Sequence, residues 1–160
     1  MLLDAARLLT DQDIHFTIAG QASADMSEVI AHRAATLSNV HLRLGFADDP
    51  TKHKLLNAAD IVALPYTEFH SQSAALNDAY AYRLPVVASD VGALGPTVRD
   101  ERTGIVVPPN DAPALAQSIR ELAMSSRASW ESVISDAAWS RDSSVVGPQL
   151  RSIYGQVVGE

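Results

Sequence analysis

The sequence predicts an α/β fold in which helices cover both faces of a parallel sheet of about five strands. Short apolar runs typical of buried strands alternate with longer stretches of helical periodicity. Several of these runs end at a glycine or a small polar residue, as strands do where the chain turns. Strands joined through helices form right-handed β-α-β units, and such units build a parallel sheet. Ligands on sheets of this kind bind outside the carboxyl ends of the strands.

The individual elements follow from the periodicity in chain order. The expected strands are residues 14–19, 40–44, 61–64, 86–89 and 105–107. The expected helices are residues 1–9, 26–37, 51–58 and 73–82, one capped by Asp111 with Leu115, Ile119 and Leu122 on one face, and a tail at about 129–158 that breaks near Ser140. Pro148 is expected only in a first helical turn, because proline has no N–H to donate. No linker or repeat interrupts this pattern, so residues 1–160 are predicted to form one domain.

Composition and charge exclude several functional classes. Of the 160 residues, 47% are apolar and 19% charged, which is typical of a globular protein, and no apolar run is long enough to predict a membrane span. A net charge of −7 argues against a nucleic-acid binder, which needs a basic face. The chain has no cysteine, which excludes disulfides and thiolate chemistry and favours a cytoplasmic setting. The five histidines have no ligand spacing, so no metal site is expected.

One polar turn has the pattern of an anion site. Ser71, Gln72 and Ser73 lie between an apolar strand at 61–64 and the helix expected at 73–82. A helix that begins at the carboxyl end of a parallel strand directs its free N–H groups and the positive end of its dipole into the crevice. The turn is therefore predicted to bind phosphate. The alternative is an ordinary helix cap, for which serine is also favoured.

The order of several motifs resembles a known family. They are residues 42–46 (LRLGF), 58–65 (AADIVALP), 84–92 (LPVVASDVG) and 103–109 (TGIVVPP). Together they resemble the C-terminal half of family 4 (group 1) glycosyltransferases of the GT-B fold, and the resemblance covers essentially the whole chain. In that family this Rossmann-like half binds the nucleotide-sugar donor, and a separate N-terminal half binds the acceptor.

The resemblance assigns roles to residues around the polar turn. The family usually carries two glutamates eight residues apart there, and the matching positions are His70 and Asp78. His70 would contact the donor sugar, although no catalytic residue is assigned with certainty. Asp78 would accept hydrogen bonds from ribose hydroxyls through a shorter arm than glutamate. The alternative for Asp78 is a solvated residue on a helix surface.

Further residues are implied at the neighbouring strand ends. By the same resemblance, Ser71, Gln72 and Ser73 would hold the diphosphate, the segment from Phe46 to Asp49 would lie near the base, and Gly20 would line the floor of the crevice. The family also has a first strand, central in its sheet, and a basic pair that these residues do not include. The strands at 14–19 and 61–64, which would flank it, are expected to close up, to receive a strand from another chain, or to leave the fold loosened.

Three functions remain open at this point. The first is the donor-binding domain of a glycosyltransferase that, when complete, transfers a sugar with retention from a nucleoside diphosphate sugar, without cofactor or metal. Its expected partners are the nucleotide-sugar and a separate N-terminal acceptor domain or a second copy of the chain; alone, the chain is expected to be inactive. The second is a non-catalytic nucleotide-binding or interaction module. The third is another GT-B enzyme, such as a sugar-nucleotide epimerase.

Overall fold

The structure is a computed structural model, and it describes residues 1–68 and 73–158. Strands and helices alternate along most of the described chain. The strands are β1 (Phe16–Gly20), β2 (Val40–Leu44), β3 (Val62–Leu64), β4 (Val86–Ser89) and β5 (Gly104–Val107). The helices are α1 (Leu2–Arg7), α2 (Ala24–Ala34), α3 (Asp49–Ala58), α4 (Ala74–Ala81), α5 (Leu94–Glu101), α6 (Ala112–Met124), α7 (Ala128–Trp139) and α8 (Ser143–Val158).

All strand pairs are parallel, and the predicted α/β class is confirmed. The five strands form two sheets, with the orders β1-β2 and β3-β4-β5. Phe16 pairs with Val40 in the first sheet, and Val86 pairs with both Val62 and Gly104 in the second. Within the described residues, no backbone hydrogen bond joins β1 to β3. The strands on either side of the expected central strand have therefore not closed up.

Two apolar clusters hold the elements together. The first joins α1, α2 and α6 to both sheets, since Phe16 of β1, Val87 of β4 and Val107 of β5 all belong to it. The second packs α4, α5 and α7 against the three-stranded sheet, with Leu64 and Ala88 among its members. The first cluster thus makes the two sheets parts of one structure, although they are not hydrogen-bonded to each other.

Helix α5 was not predicted from the sequence. Residues 92–96 read Gly-Ala-Leu-Gly-Pro, a composition that favours a turn over a helix. The structure places Pro96 in the first turn of α5, where proline is tolerated because that N–H has no intrahelical acceptor. Parallel neighbours such as β4 and β5 also need a crossover connection, which α5 supplies.

The prediction that Pro148 occupies a first helical turn was wrong. Pro148 lies inside α8, which begins at Ser143. Its ring is exposed, and so is Ser144, whose carbonyl loses its helical donor and can be hydrated by water. The predicted break near Ser140 is confirmed, since α7 ends at Trp139 and α8 starts four residues later.

Capping of α6 is confirmed in detail. The Asp111 carboxylate accepts a hydrogen bond of 2.9 Å from the Ala114 N–H, and Leu115, Ile119 and Leu122 are all buried. No helix within residues 1–68 and 73–158 is both long enough and apolar enough to cross a membrane.

Candidate functional site

The carboxyl ends of β1 and β2 form one side of the candidate site. Gly20 ends β1 at φ +141°, and Gly45 follows β2 at φ +127°. These are backbone conformations that residues with a Cβ rarely adopt. The Gly45 N–H donates to the Gly20 carbonyl at 2.9 Å, so β1 and β2 separate only beyond this hydrogen bond. Gly20 therefore lies at the strand end where the sequence predicted the crevice floor.

The amino end of α4 begins with a buried polar cap. Ser73 is buried, and its hydroxyl oxygen accepts a hydrogen bond of 3.1 Å from the Leu76 N–H. This is the ordinary capping role that the sequence left as an alternative. Within residues 1–68 and 73–158, the N–H groups of Ala74 and Ala75 have no hydrogen-bond partner. Those two donors lie at the positive end of the helix dipole and can bind an anion.

Asp78 lies five residues after Ser73, which corresponds to about 7.5 Å along the axis of α4. Its carboxylate forms an ion pair with Lys52 of α3, with a distance of 3.3 Å between Lys52 Nζ and Asp78 Oδ2. The side chains are 43% and 35% exposed, respectively, so the pair is in contact with solvent. A ribose that hydrogen-bonds to Asp78 would therefore compete with Lys52 for the carboxylate, or bind beside Lys52. Sequence reasoning missed Lys52, because the two residues are 26 positions apart and no local pattern links them.

The segment from Phe46 to Asp49 connects β2 to α3. The Phe46 ring is 84% exposed and can serve as a stacking surface. Asp48 caps α3 by accepting a hydrogen bond of 3.0 Å from the Thr51 N–H, and hydrogen bonds from Thr51 lower the pKa of Asp48. Asp49 is exposed as the first residue of α3. Of the two carboxylates, Asp49 is thus the one left without a capping role.

Three predicted residues, His70, Ser71 and Gln72, lie outside the described residues, so their roles stay predictions. The other five predicted residues fall into two groups. Ser73 caps α4 and Asp78 lies within it, after the strand β3 of the three-stranded sheet. Gly20, Phe46 and Asp49 lie at or after the ends of the strands of the two-stranded sheet. Lys52 links the groups through its contact with Asp78. Among the described residues, no three His, Asp or Glu side chains cluster as they would around a metal ion.

Comparison with known proteins identifies the family. The profile of the glycosyl transferases of group 1 matches residues 1–125. The chain is 31% identical, over 92% of its length, to a phosphatidyl-myo-inositol mannosyltransferase from Mycolicibacterium smegmatis, and 33% identical, over 99%, to the protein of that name from Mycobacterium tuberculosis. It spans only 38% and 43% of those proteins. The predicted resemblance to this family is therefore confirmed.

Solved structures show the same fold. A glycosyltransferase from Rickettsia africae superimposes with a TM-score of 0.78 at 19% identity, over 98% of this chain and 43% of that one. The C-terminal domain of a group 1 glycosyl transferase from Francisella tularensis superimposes with a TM-score of 0.64 at 20% identity. That match covers 85% of this chain and 73% of the solved domain. At these identities the superpositions establish the fold alone.

Proposed function

We propose, since this chain belongs to the glycosyl transferases of group 1, that it forms the donor-binding part of such an enzyme. The amino end of α4 would hold the diphosphate of a nucleoside diphosphate sugar. The observation that supports this is the pair of N–H groups of Ala74 and Ala75, directly after the capping Ser73, which have no hydrogen-bond partner among the described residues. Backbone donors at a helix start bind phosphate with little geometric cost, because they are already oriented.

In the complete reaction, this part of the enzyme would stabilise the leaving diphosphate. Breaking the bond between the sugar and the diphosphate leaves negative charge on the phosphate oxygens, and fixed N–H dipoles lower the energy of that state. The transfer would proceed with retention, without a metal or cofactor, and would need an acceptor-binding domain contributed by a separate polypeptide region. The names of the relatives make a mannosyl group the first sugar to test. Because the chain has no cysteine, we place this activity in the cytoplasm.

A second function is favoured by one observation. Asp78, which would bind ribose, already forms an ion pair with Lys52. The chain would then be a non-catalytic nucleotide-binding or interaction module derived from a glycosyltransferase. The two proposals differ in what happens when a matching acceptor domain is added, because only the first predicts sugar transfer.

The diphosphate site is tested most directly by Ala74→Pro. Proline is well tolerated at the first position of a helix, and Ser73 already has the extended conformation that a residue before proline prefers (φ −82°, ψ 110°). The substitution therefore removes one donor while keeping α4. We expect the affinity for UDP, GDP or ADP, measured by titration with NMR detection, to fall about tenfold. Ala74→Ser, which keeps the N–H, is the matched control.

Two outcomes would contradict the donor site. One is an unchanged affinity in Ala74→Pro, and the other is the absence of amide shifts at Ala74 and Ala75 at millimolar nucleotide. Asp78→Asn then separates ribose from phosphate. If Asp78 binds ribose, this substitution weakens the binding of the nucleoside diphosphate and leaves the binding of pyrophosphate unchanged.

A further inference from the structure

We propose that Arg141 is a latch that fixes helix α8 to the rest of the chain, and that α8 changes its direction at the α7–α8 junction when Arg141 releases Glu101. The α7–α8 junction is residues 140–142, which separate the end of α7 at Trp139 from the start of α8 at Ser143. The proposal is independent of donor binding, because it concerns only the contacts that hold one helix in place.

Helix α8 differs from the other helices in how it is packed. Helices α1 to α7 each place at least one apolar side chain in, or against, one of the two apolar clusters. No described side chain of α8 belongs to either cluster, and none of them is buried. Val145 and Val146, in the first turn of α8, are only half-buried. Apolar burial therefore contributes little to holding this part of α8, and its polar contacts carry more weight.

Arg141 connects the α7–α8 junction to two other helices. Its Nη2 atom lies 2.7 Å from Oε1 and 2.9 Å from Oε2 of Glu101, the last residue of α5. Its Nη1 atom donates to the Ala137 carbonyl of α7 at 2.8 Å, at the negative end of that helix dipole. Among the described side chains from residue 140 onward, Arg141 makes the only hydrogen bond or ion pair to a residue before α7. The described part of α8 is thus tied to the α5 side of the molecule through one guanidinium.

Tyr80 gives the latch a fixed support. Its ring belongs to the second apolar cluster and is fully buried, and the Arg141 guanidinium carbon lies 4.9 Å from the ring centroid, in a cation–π contact. The Tyr80 hydroxyl donates to Glu101 Oε2 at 3.0 Å and also hydrogen-bonds to Thr103. The Glu101 carboxylate therefore accepts from Tyr80 and Arg141 together, and it is held in place by the core when Arg141 binds it.

The latch can open without unfolding either helix. The side chains of Arg141 and Glu101 are 28% and 27% exposed, so water can solvate the two charges when they separate. In the α7–α8 junction, the Arg141 N–H donates to the Ala138 carbonyl and the Asp142 N–H to the Trp139 carbonyl, three residues back in each case. Such short turns are common at hinges between helices. A change in the dihedral angles of these residues reorients α8 and leaves its own hydrogen bonds intact.

Backbone ¹⁵N relaxation, measured by NMR, tests the proposal. In the unsubstituted chain, we expect the amide order parameters of Val145 and Val146 to be about 0.85, the value of a rigid backbone. Arg141→Met keeps an unbranched side chain and removes the guanidinium, and it should lower both order parameters to below about 0.6. The Phe16 amide, which donates to the Asn39 carbonyl at 2.7 Å, should stay at about 0.85 and so verifies that the chain is folded.

Two further variants sharpen the test. Glu101→Gln removes the charge that Arg141 binds while keeping the shape of the side chain, so it should mobilise α8 even if Arg141→Met fails to fold. Arg99→Met is the matched control, because it removes another ion pair of α5, 2.9 Å long and made with Asp90, and should leave α8 rigid. Order parameters of α8 near 0.85 in both Arg141→Met and Glu101→Gln would overturn the proposal. So would a mobile α8 in the unsubstituted chain, or an equal loss of order in Arg99→Met.

Discussion

The three-stranded sheet is packed far more completely than the two-stranded sheet. All four residues of β4 are buried, because helices cover both of its faces and strands pair with both of its edges. In β1, more buried and more exposed residues alternate, and one edge has no strand partner among the described residues. An open surface cleft of about 200 Å³ lies between α1, α2 and Ile18 of β1. The burial of a strand in this fold therefore depends on pairing at both of its edges as well as on the helices that cover its faces.

The largest expected effect comes from placing a charge in the core of the more completely packed sheet. Val87, in the middle of β4, is fully buried, so Val87→Asp places a carboxylate where no cation or water can reach it. We expect the free energy of unfolding to fall by about 4 kcal/mol or more. Thr17→Asp, at an exposed position of β1, should change it by less than about 0.5 kcal/mol. Denaturant titration measures both, and similar losses would contradict the comparison.

Substitution of a glycine in the three-stranded sheet should destabilise the chain more than substitution of a glycine in the two-stranded sheet. A Cβ on Gly104 would overlap the carbonyl oxygen of Val86 and lie 2.8 Å from its carbonyl carbon, so β4 and β5 would have to separate. A Cβ on Gly20 would meet nothing within 4 Å, and only the φ of +141° opposes it. We expect Gly104→Ala to lower the free energy of unfolding by about 3 kcal/mol, and Gly20→Ala to lower it by about 1 kcal/mol. Thermal unfolding of both variants gives the ranking, and the reverse order would exclude this explanation.

The smallest expected effect concerns Tyr80, which joins α4 to the last residue of α5 and to Thr103, just before β5. Burial raises the pKa of Tyr80, and its hydroxyl lies 3.0 Å from Glu101 and hydrogen-bonds to Thr103. Because the folded chain disfavours the ionised phenol, this contribution to stability is complete below about pH 10 and declines as the pH rises above it. The decline amounts to at most about 1.4 kcal/mol per pH unit.

Tyr80→Phe provides the measurement. The free energy of unfolding of both proteins is compared at pH 8 and above pH 10, so that other ionising groups cancel in the difference. The variant should be less stable by about 1 kcal/mol at pH 8, and the gap should narrow as the pH rises. If the difference in free energy of unfolding between the two proteins stays constant with pH, Tyr80 is not the group that causes the decline in stability at high pH.

Much of the chain was predictable from local pattern. The boundaries of β2 and β4 match the structure, because an apolar run bounded by turn residues is a strong local signal. The cap at Asp111 and the cap at Ser73 follow from side-chain chemistry within four residues. Helix α5 was missed for the opposite reason, since Gly92, Gly95 and Pro96 oppose a helix locally and tertiary packing overrides them.

The candidate site was predictable only in part. Ser73 is where local pattern put it, at the start of α4, but the ion pair between Asp78 and Lys52 depends on how α3 lies beside α4. The exposure of Phe46 likewise depends on what covers the end of β2.

The sequence by itself determined the α/β class, the alternation of the elements and the Ser73 cap at the start of α4, because each of these depends on residues within a few positions of one another. The tertiary structure alone decided that the strands of the described residues divide into two sheets, β1-β2 and β3-β4-β5, with no backbone hydrogen bond between the sheets. Strand pairing depends on which edges meet in space, and no local pattern specifies that. The alternating burial of β1 and the complete burial of β4 likewise depend on which elements pack on each strand.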